Sequence, residues 1–337
     1  MLPVLAGPRS LRRIFRAVTS VYVIGSASDA RCRVRCKKND RWHITNILVG
    51  RRSALASGPK TLQQWPSLRL QSSFVDDQDN LWILDPAAPK QQEIVKGGPK
   101  LVKVDLTTNN VVQTIPFGED VAPAKSYLND VRIDTATNTA FITESGKGAI
   151  IVVELKSGKA RRLLDGHKST QPEKNVKLTV DGKQLIDQQK KSPPQVASDG
   201  IALDMKNGYL YYHALTGHTL YRIKTSFLTD EKLSKSDLES NVETVAKTPA
   251  PDGMLEAPDG SIYLTDLEDS AIVRLNVATN KIDKIIADKR LLWPDTLSWG
   301  PGGELYVTAS QIENMPRFNN GKSARTEPYK LFKIVGL

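Results

Sequence analysis

The sequence predicts an all-β fold, a six-bladed β-propeller of which five blades are readable from residue 71 onward. Three observations predict it. A pair of short apolar strands joined by a tight turn recurs five times along the chain. Within the strands, apolar and polar residues alternate, as expected for half-buried antiparallel strands. The turns carry the Gly, Asn and Asp residues that tight hairpins require.

The five repeats can be followed in order. Their inner strand pairs are SSFVDDQDNLWILD (72–85), NDVRIDTATNTAFITE (129–144), SDGIALDMKNGYLYYH (198–213), PDGMLEAPDGSIYLTD (251–266) and PDTLSWGPGGELYVTA (294–309). Each of the first four is followed by two more strand-like stretches, and the last by only one, YKLFKI. Because a propeller closes when its N-terminal strand completes the last blade, one further blade and the closing strand are expected before residue 71.

Residues 1–70 do not continue the repeat. They contain 11 Arg and 3 Lys but only two acidic residues, Asp29 and Asp40, whereas the rest of the chain is close to neutral. We therefore divide the chain into an atypical basic N-terminal segment, 1–70, and a β-propeller domain, 71–337. Three interpretations of the segment stay open: a transit-like leader, a mis-spliced exon, or a frame-shifted stretch that stands as a poorly ordered or degraded first blade.

Several classes of function find no support in the sequence. The basic charge is confined to residues 1–70, so it does not indicate a nucleic-acid partner. No apolar run is long enough to span a bilayer. Cys32 and Cys36 are too few for a metal site, and there is no nucleophile elbow, P-loop or dinucleotide fingerprint. The expected partner is a small molecule.

The positions where a propeller binds ligands are polar in every readable blade. The first strand of a blade lines the central channel and the second returns beside it, so the start of one and the end of the other lie at the same mouth. The candidate ligand-binding residues there are Asp85, Asn129, Asp130, Glu144, Asp266, Asp295 and Ser310, and the candidate catalytic residues are Asp199, His213 and Asp252. A ring of acids and amides suits a cation, an amine or a polyol.

Two competing interpretations apply to these residues. Neighbouring carboxylates raise each other's pKa, which suits acid–base chemistry, and His213 could act as a general base. However, an Asp or Asn next to a strand often binds the backbone of its own turn, and a histidine in a loop often has no chemical role.

The body of the chain resembles the yellow/major royal jelly protein family, in particular its microbial, dopachrome-tautomerase-related members. The resemblance runs from about residue 70 to the end and is carried by stretches such as FVDDQDNLWILDPAAP, YLNDVRID, SDGIALD with LTGHTLYRI, PDGMLEAPDGSIYLTDLEDSAIVRLN and LLWPDTLSWGPGGELYVTASQIENMPRFN. It implies a six-bladed propeller, usually secreted, with a small-molecule pocket at the channel mouth.

A more distant resemblance is to calcium propellers of the gluconolactonase type. LND at 128–130 is similar to their substrate-side Asn motif, PDGM at 251–254 to their metal-binding Asp motif, and SDG at 198–200 falls where they carry Asn-Gly. The resemblance implies a divalent cation such as calcium at Asn129, Asp199 and Asp252.

Three hypotheses of function follow. The first is a secreted propeller that binds, or also isomerises, a small aromatic amine or catechol-derived compound at the acidic mouth, with aromatic side chains stacked on the ligand. The second is a metal-dependent lactonase or sugar-acid hydrolase, in which the ion polarises a carbonyl and Asp199 or Asp252 activates water. The third is a non-catalytic structural or signalling protein of the royal jelly kind.

Overall fold

The computed structural model describes residues 70–89, 93–300 and 302–334. In this part of the chain, five small antiparallel sheets follow one another in chain order around a ring. The predicted all-β propeller is therefore confirmed, with five blades starting where the repeats start. The predicted basic segment, apart from Leu70, lies outside the described residues.

We name the five sheets blades A to E. Blade A contains β1 (Ser72–Val75), β2 (Asn80–Asp85), β3 (Lys100–Asp105) and β4 (Asn110–Pro116). Blade B contains β5 (Leu128–Asp134), β6 (Thr139–Glu144), β7 (Ala149–Glu154) and β8 (Ala160–Leu163). Blade C contains β11 (Ser198–Asp204), β12 (Tyr209–Ala214), β13 (Thr219–Lys224) and β14 (Glu243–Lys247).

The last two blades continue the same order. Blade D contains β15 (Met254–Glu256), β16 (Ile262–Asp266), β17 (Ala271–Asn276) and β18 (Lys281–Ala287). Blade E has three described strands, β19 (Pro294–Trp299), β20 (Leu305–Ala309) and β21 (Lys330–Ile334). The inner strands β1, β5, β11, β15 and β19 contact one another in sequence and form the wall of the channel.

Few other elements occur in the described residues. A hairpin of β9 (Thr179–Val180) and β10 (Lys183–Gln184) interrupts the long connection from blade B to blade C. Two short helices, α1 (Thr225–Thr229) and α2 (Lys235–Ser240), join β13 to β14. Two 3-10 helices, Ile312–Asn314 and Pro316–Phe318, lie between β20 and β21. No helix in the described part is long and apolar enough to cross a membrane.

The inner hairpins turn as their sequences predict. Each places one residue in the left-handed region of backbone space, where Gly, Asn and Asp are tolerated best. These residues are Asp79, Asn138, Gly208, Gly260 and Gly303, with φ between 52° and 82°. The predicted turn residues therefore set the register of each inner strand pair.

The hydrophobic cores lie between neighbouring blades, because alternate residues of each strand point to opposite faces of its sheet. One core joins blades A and B, with Trp82 and Leu101 against Ile142 and Ile151. Three similar cores join B to C, C to D and D to E. The blades are thus held face to face, and their polar first-strand ends meet at the channel mouth.

A fifth core lies outside the blades and covers the mouth. The β9–β10 hairpin contributes Leu178, Val180 and Leu185, which pack with Trp293 and Ile312 from the loops of blade E. We call the hairpin with its flanking residues 165–197 the cap.

Candidate functional site

The first strands of the blades become irregular at the mouth. Pairing with the second strand skips two residues in blades B, C and E, and in blade D the paired strand starts only after the corresponding two residues. The positions concerned are Asn129–Asp130, Asp199–Gly200, Asp252–Gly253 and Asp295–Thr296. Bulges of this kind redirect side chains away from the regular alternation. Here they collect polar side chains at the channel.

A threonine on the second strand holds this irregular backbone in three blades. Its hydroxyl accepts a hydrogen bond from a main-chain N–H that the strand ladder leaves unpaired. The main-chain N–H of Asp130 donates to Thr143 Oγ1 at 3.2 Å, and that of Asp252 donates to Thr265 Oγ1 at 2.9 Å. The main-chain N–H of Thr296 donates to Thr308 Oγ1 at 3.0 Å. The same threonine hydrogen bond therefore holds the irregular backbone next to acidic residues on three blades.

A row of hydrogen-bonded side chains crosses the channel at its mouth. Gln71 Nε2 donates to Asn129 Oδ1 at 2.6 Å, and Asn129 Nδ2 donates to Asp199 Oδ1. The carboxyl groups of Asp199 and Asp252 are in hydrogen-bonding contact. Trp293 Nε1 donates to Asp252 Oδ2 at 2.5 Å. The row connects blades A, B, C, D and E and brings together three predicted site residues.

Burial governs the ionisation of these acids. It raises the pKa of Asp199 well above its ordinary value, and the nearby charges of Asp252, Asp130 and Asp295 raise it further. Burial raises the pKa of Asp252 to about 7 against the opposing effect of the Trp293 hydrogen bond. Two carboxyl groups in hydrogen-bonding contact do not both ionise readily, so the arrangement favours a proton shared between them.

Asp295 extends the acidic group in blade E. Burial raises its pKa well above the ordinary value, with Asp252 and Asp130 adding to the effect. Its Oδ1 accepts a hydrogen bond from Thr296 at 2.9 Å, whereas its buried Oδ2 has no hydrogen-bond partner. The hydroxyl of Ser310, another predicted residue, lies beside this carboxylate.

Deeper in the channel, an arginine balances part of the negative charge. Arg132 of β5 reaches across to blade D, where Nη2 donates to the carbonyl oxygen of Met254 at 2.9 Å. Its charge lowers the pKa of Asp130, although burial raises that pKa more strongly. In the described part of the chain, no Lys or Arg forms an ion pair with Asp199, Asp252 or Asp295.

Above these acids lies a cavity of 870 Å³. Its floor includes Gln71, Asn129, Asp199 and Asp252. Aromatic and aliphatic side chains form the walls: Tyr127, Val196, Leu215, Trp293, Ile312, Phe318 and Leu185 of the cap. The charged side chains of Glu93, Lys125, Lys190 and Arg317 also line it. The volume falls within the range of cavities that enclose small organic ligands.

The oxygen donors suit a hard divalent cation in their chemistry, since calcium prefers carboxylate and amide oxygens. The Asp199 and Asp252 carboxyls are in hydrogen-bonding contact, and Asn129 Nδ2 donates to Asp199. Among the described residues, no three Asp, Glu, His or Cys side chains converge as a metal centre. The Asn129 amide would therefore have to complete the predicted metal site.

Three predicted acids lie outside this group. Asp85, Glu144 and Asp266 end the second strands of blades A, B and D, and each carboxylate accepts the N–H of the residue two positions later. Asp85 also pairs with Lys100 at 2.7 Å, and Glu144 with Arg162 at 2.7 Å. The structure brings none of the three into the row, because each caps the turn that follows its own strand.

His213 also lies away from the row. It is fully buried in blade C, with Nδ1 2.6 Å from the carbonyl oxygen of Ala214 and Nε2 3.0 Å from Thr248 Oγ1. Burial lowers its pKa to about 4, so the imidazole is neutral at neutral pH. Both nitrogens are bonded to protein atoms, and the structure does not place this predicted base at the cavity.

The site contains residues that the sequence reasoning missed, namely Gln71, Tyr127, Arg132, Trp293 and Arg317. The sequence did contain a positional signal for two of these residues. Tyr127 and Trp293 each precede a mouth residue, Asn129 and Asp295 respectively, by two positions. No comparable signal pointed to Gln71 or Arg317, whose places depend on contacts between distant segments.

The comparisons with known proteins agree with this architecture. The family model described as "Major royal jelly protein" matches residues 71–326. The chain belongs to the major royal jelly protein family. Within this family, Major royal jelly protein 1 of Apis mellifera is 25% identical over 176 residues, which is 50% of this chain and 38% of that protein. The match thus spans well under half of that relative's length.

Two solved propeller structures are similar at lower identity. A gluconolactonase from Xanthomonas campestris is 9% identical, with a TM-score of 0.48, over 79% of this chain and 71% of that one. A virginiamycin B lyase from Staphylococcus aureus with quinupristin is 13% identical, with a TM-score of 0.47, over 80% of this chain and 71% of that one. At these identities the similarity is one of overall fold.

Proposed function

We propose that this member of the major royal jelly protein family binds a small aromatic amine in the mouth cavity, with its ammonium group on Asp199 and Asp252. One observation carries the proposal: two buried carboxyl groups meet on the cavity floor, and no Lys or Arg among the described residues pairs with them. Buried negative charge requires a cation or a proton for compensation. An ammonium ion supplies the charge and donates to both carboxylates.

The walls favour an aromatic ligand over an aliphatic amine. Tyr127, Trp293 and Phe318 all line the cavity. Aromatic rings stack on aromatic ligands and attract cations at their faces. The Trp293 indole is fixed by its hydrogen bond to Asp252, so little conformational entropy is lost when a ring packs on it. We include an extracellular location in the proposal, following the secretion that the family resemblance implies.

Isomerisation of a catechol-derived ligand is the catalytic form of this proposal. In it, the ligand carries no ammonium group on the Asp199–Asp252 pair, so one member stays protonated. The ionised member removes a proton from a ligand carbon, and the protonated member delivers one at a second position. The composition of the ligand is unchanged, and the pair returns to its starting protonation after exchange with water. Transfer of deuterium from heavy water into a ligand C–H bond would detect this step, and the exchange should be lost in Asp199→Asn.

Calorimetric titration of 2-phenylethylamine and 2-phenylethanol tests the binding proposal. The two differ only in the charged group, so we expect the amine alone to bind measurably. Asp199→Asn and Asp252→Asn should each weaken amine binding by about tenfold or more, because a charge-assisted hydrogen bond contributes about 1.5–3 kcal/mol. Asp283→Asn on the outer strand β18 is the matched control. Equal binding of both compounds, or of neither, would contradict an amine site.

A divalent cation held by Asn129, Asp199 and Asp252 is the second candidate. The observation that favours it is the direct contact from Asn129 to Asp199 and from Asp199 to Asp252. Such an ion would act as a Lewis acid toward a lactone carbonyl, as in a metal-dependent hydrolase. Elemental analysis of the purified protein decides the matter. One equivalent of calcium, lost on chelation together with thermal stability, would support this candidate and displace the amine proposal.

A further inference from the structure

One wall of the mouth cavity is apolar and continuous. Its side chains line the cavity and pack together in the core that covers the mouth: Leu185, Val196, Leu215, Ile312 and Phe318. Trp293 belongs to the same core and lines the cavity beside them. Because the Trp293 indole Nε1 also donates to Asp252 Oδ2 at 2.5 Å, the apolar wall begins at one carboxyl of the acidic pair.

The wall rises from the acidic floor along blade C. Val196 lies three residues before Asp199. Its main chain stays beside the second strand of the blade, because its N–H donates to Thr216 Oγ1 at 3.1 Å and its carbonyl oxygen accepts the N–H of Thr216 at 3.1 Å. An extended chain rises about 3.3 Å per residue, so Val196 stands roughly 10 Å above Asp199. Leu215 adjoins it, since its N–H donates to the carbonyl oxygen of Ala197 at 3.1 Å.

An amine with a single ring covers only the lower part of this wall. With its ammonium on Asp199 and Asp252, 2-phenylethylamine extends about 6–7 Å from its nitrogen to the far edge of its ring by ordinary bond lengths. The cavity, at 870 Å³, is near the upper end of the range that encloses organic ligands. Val196 and Phe318 are half-buried and leave apolar surface open to this space. Covering that surface with an apolar group removes both from water.

The charged side chains of the lining nearly balance one another. Glu93, Lys125 and Lys190 are exposed to solvent. The charge of Asp187 acts on Arg317, whose guanidinium packs over the ring of Phe318 at 4.5 Å from the centroid. The two acids offset two of the three cations, and these groups have solvent or protein neighbours. The part of a ligand that lies on the apolar wall therefore needs no charge of its own.

We propose that the cavity takes an amine whose apolar body is longer than one aromatic ring. The ammonium binds Asp199 and Asp252, the first ring packs on Trp293, and the apolar remainder lies along Leu215 and Val196. This inference rests on the proposed function and narrows its ligand class to lipophilic amines. A polar group at the far end of the ring does not satisfy it, because leucine and valine side chains cannot form hydrogen bonds with it.

Four probes separate these ligand classes by calorimetric titration of the full chain. 2-(4-Butylphenyl)ethylamine should bind at least about tenfold more tightly than 2-phenylethylamine, since each methylene fully removed from water gives about fourfold. Tyramine, which extends the same ring by a hydroxyl, should stay within about twofold of 2-phenylethylamine. 2-(4-Butylphenyl)ethanol has the same apolar body without the charge and should bind at least about tenfold more weakly than the butyl amine.

Substitutions at Val196 assign the advantage of the butyl group to the wall. The readout is the ratio of the affinities for the butyl amine and 2-phenylethylamine. Val196→Phe fills space that the butyl group needs, so the ratio should fall to about threefold or less. Val112→Phe on β4, where the valine is 54% exposed, is the matched control and should keep the wild-type ratio.

A second variant covers the case in which Val196→Phe does not fold. Val196→Thr keeps the shape of the side chain and adds a hydroxyl that the butyl group would bury. It should reduce the ratio by about threefold or more, because a buried hydroxyl without a partner is unfavourable. Val112→Thr is its control and should leave the ratio unchanged.

The outcomes distinguish this inference from the proposed function. If neither amine binds the wild-type protein, or the butyl alcohol binds as tightly as the butyl amine, the amine proposal fails and this inference fails with it. If the two amines bind equally, or tyramine gains as much as the butyl amine, the amine site stands and the extended apolar ligand is excluded. A wild-type ratio in the folded Val196 variants also overturns the inference.

Discussion

At the residue scale, the most consequential side chain is Trp293. Its φ of 52° lies in the left-handed region, which a bulky residue rarely occupies, and its indole donates to Asp252. The same residue packs against the cap. Trp293 therefore fixes one carboxyl of the acidic pair and joins the cavity floor to its cover. Strained backbone of this kind is typical of binding sites.

Asp295 provides a prediction about stability. Its buried Oδ2 has no hydrogen-bond partner, and the charges of Asp252 and Asp130 disfavour its ionised form. Asp295→Asn removes an ionisable group whose charged form is disfavoured by burial and by Asp252 and Asp130, so we expect the free energy of unfolding to rise by about 0.5–2 kcal/mol at pH 7. Urea denaturation monitored by tryptophan fluorescence measures the change. Asp134→Asn, which keeps an oxygen acceptor for the β5–β6 turn, is the control and should leave the free energy of unfolding within about 0.5 kcal/mol.

At the element scale, the ends of the inner strands divide the acids into two groups. The skipped positions of the first strands direct Asp199, Asp252 and Asp295 to the channel. The regular ends of the second strands leave Glu144 and Asp266 to cap turns. The sequence shows both groups as an Asp or Glu beside an apolar strand. Only the β-bulge distinguishes the acids that face the channel from the acids that cap turns. A bulge depends on how a strand pairs with its neighbour, so the sequence alone does not show it.

Gly253 lies in one of these irregular segments. A Cβ added there would collide with the main-chain carbonyl of Asp295 on the next blade, which cannot rotate away. We expect Gly253→Ala to destabilise the fold by about 2–3 kcal/mol, because a clash with backbone forces the inner strands apart. Amine binding should weaken as well, since the shift separates Asp252 from Asp199.

Thermal denaturation and titration of Gly253→Ala check both effects. Gly118→Ala is the control, because the atoms nearest its added Cβ belong to the mobile side chain of Asp120. That variant should lose less than about 1 kcal/mol. Equal stability of the two variants would show that the first strands of blades D and E tolerate separation.

At the scale of the whole molecule, the ring and the cap are joined at a half-buried ion pair. His218 of blade C lies 2.9 Å from Glu268 of blade D, and the other carboxylate oxygen of Glu268 accepts the N–H of Thr179 in the cap at 3.1 Å. Glu173 and Lys247 also act on His218. One acidic side chain thus connects two blades and the cover of the cavity.

This connection predicts a pH dependence. The Glu268 hydrogen bond raises the pKa of His218, so the pair's contribution to stability is complete below the unfolded-state value of about 6.5 and is lost as pH rises through the raised value. His218 lowers the pKa of Glu268, so the same contribution is also lost as pH falls through that lowered value. The pair is strongest in mildly acidic solution.

A comparison of wild type with His218→Gln measures this effect. The difference in their free energies of unfolding should be largest near pH 6 and should shrink toward pH 8.5. It should stay below about 1 kcal/mol, because the imidazole is 36% exposed and solvent screens the pair. A difference that does not change with pH would mean that the bond to Glu268 is not an ion pair.

The sequence by itself determined the five repeats, their turns and the first-strand positions of Asn129, Asp199, Asp252 and Asp295, because strand periodicity and turn chemistry are local properties. It could not separate these residues from Asp85, Glu144, Asp266 and His213, whose side chains bind groups within their own blades. The tertiary structure alone decided that Trp293 and Gln71 end the acidic row and that Arg317 faces the cavity. Those places depend on contacts between segments far apart in the chain, which no local pattern encodes.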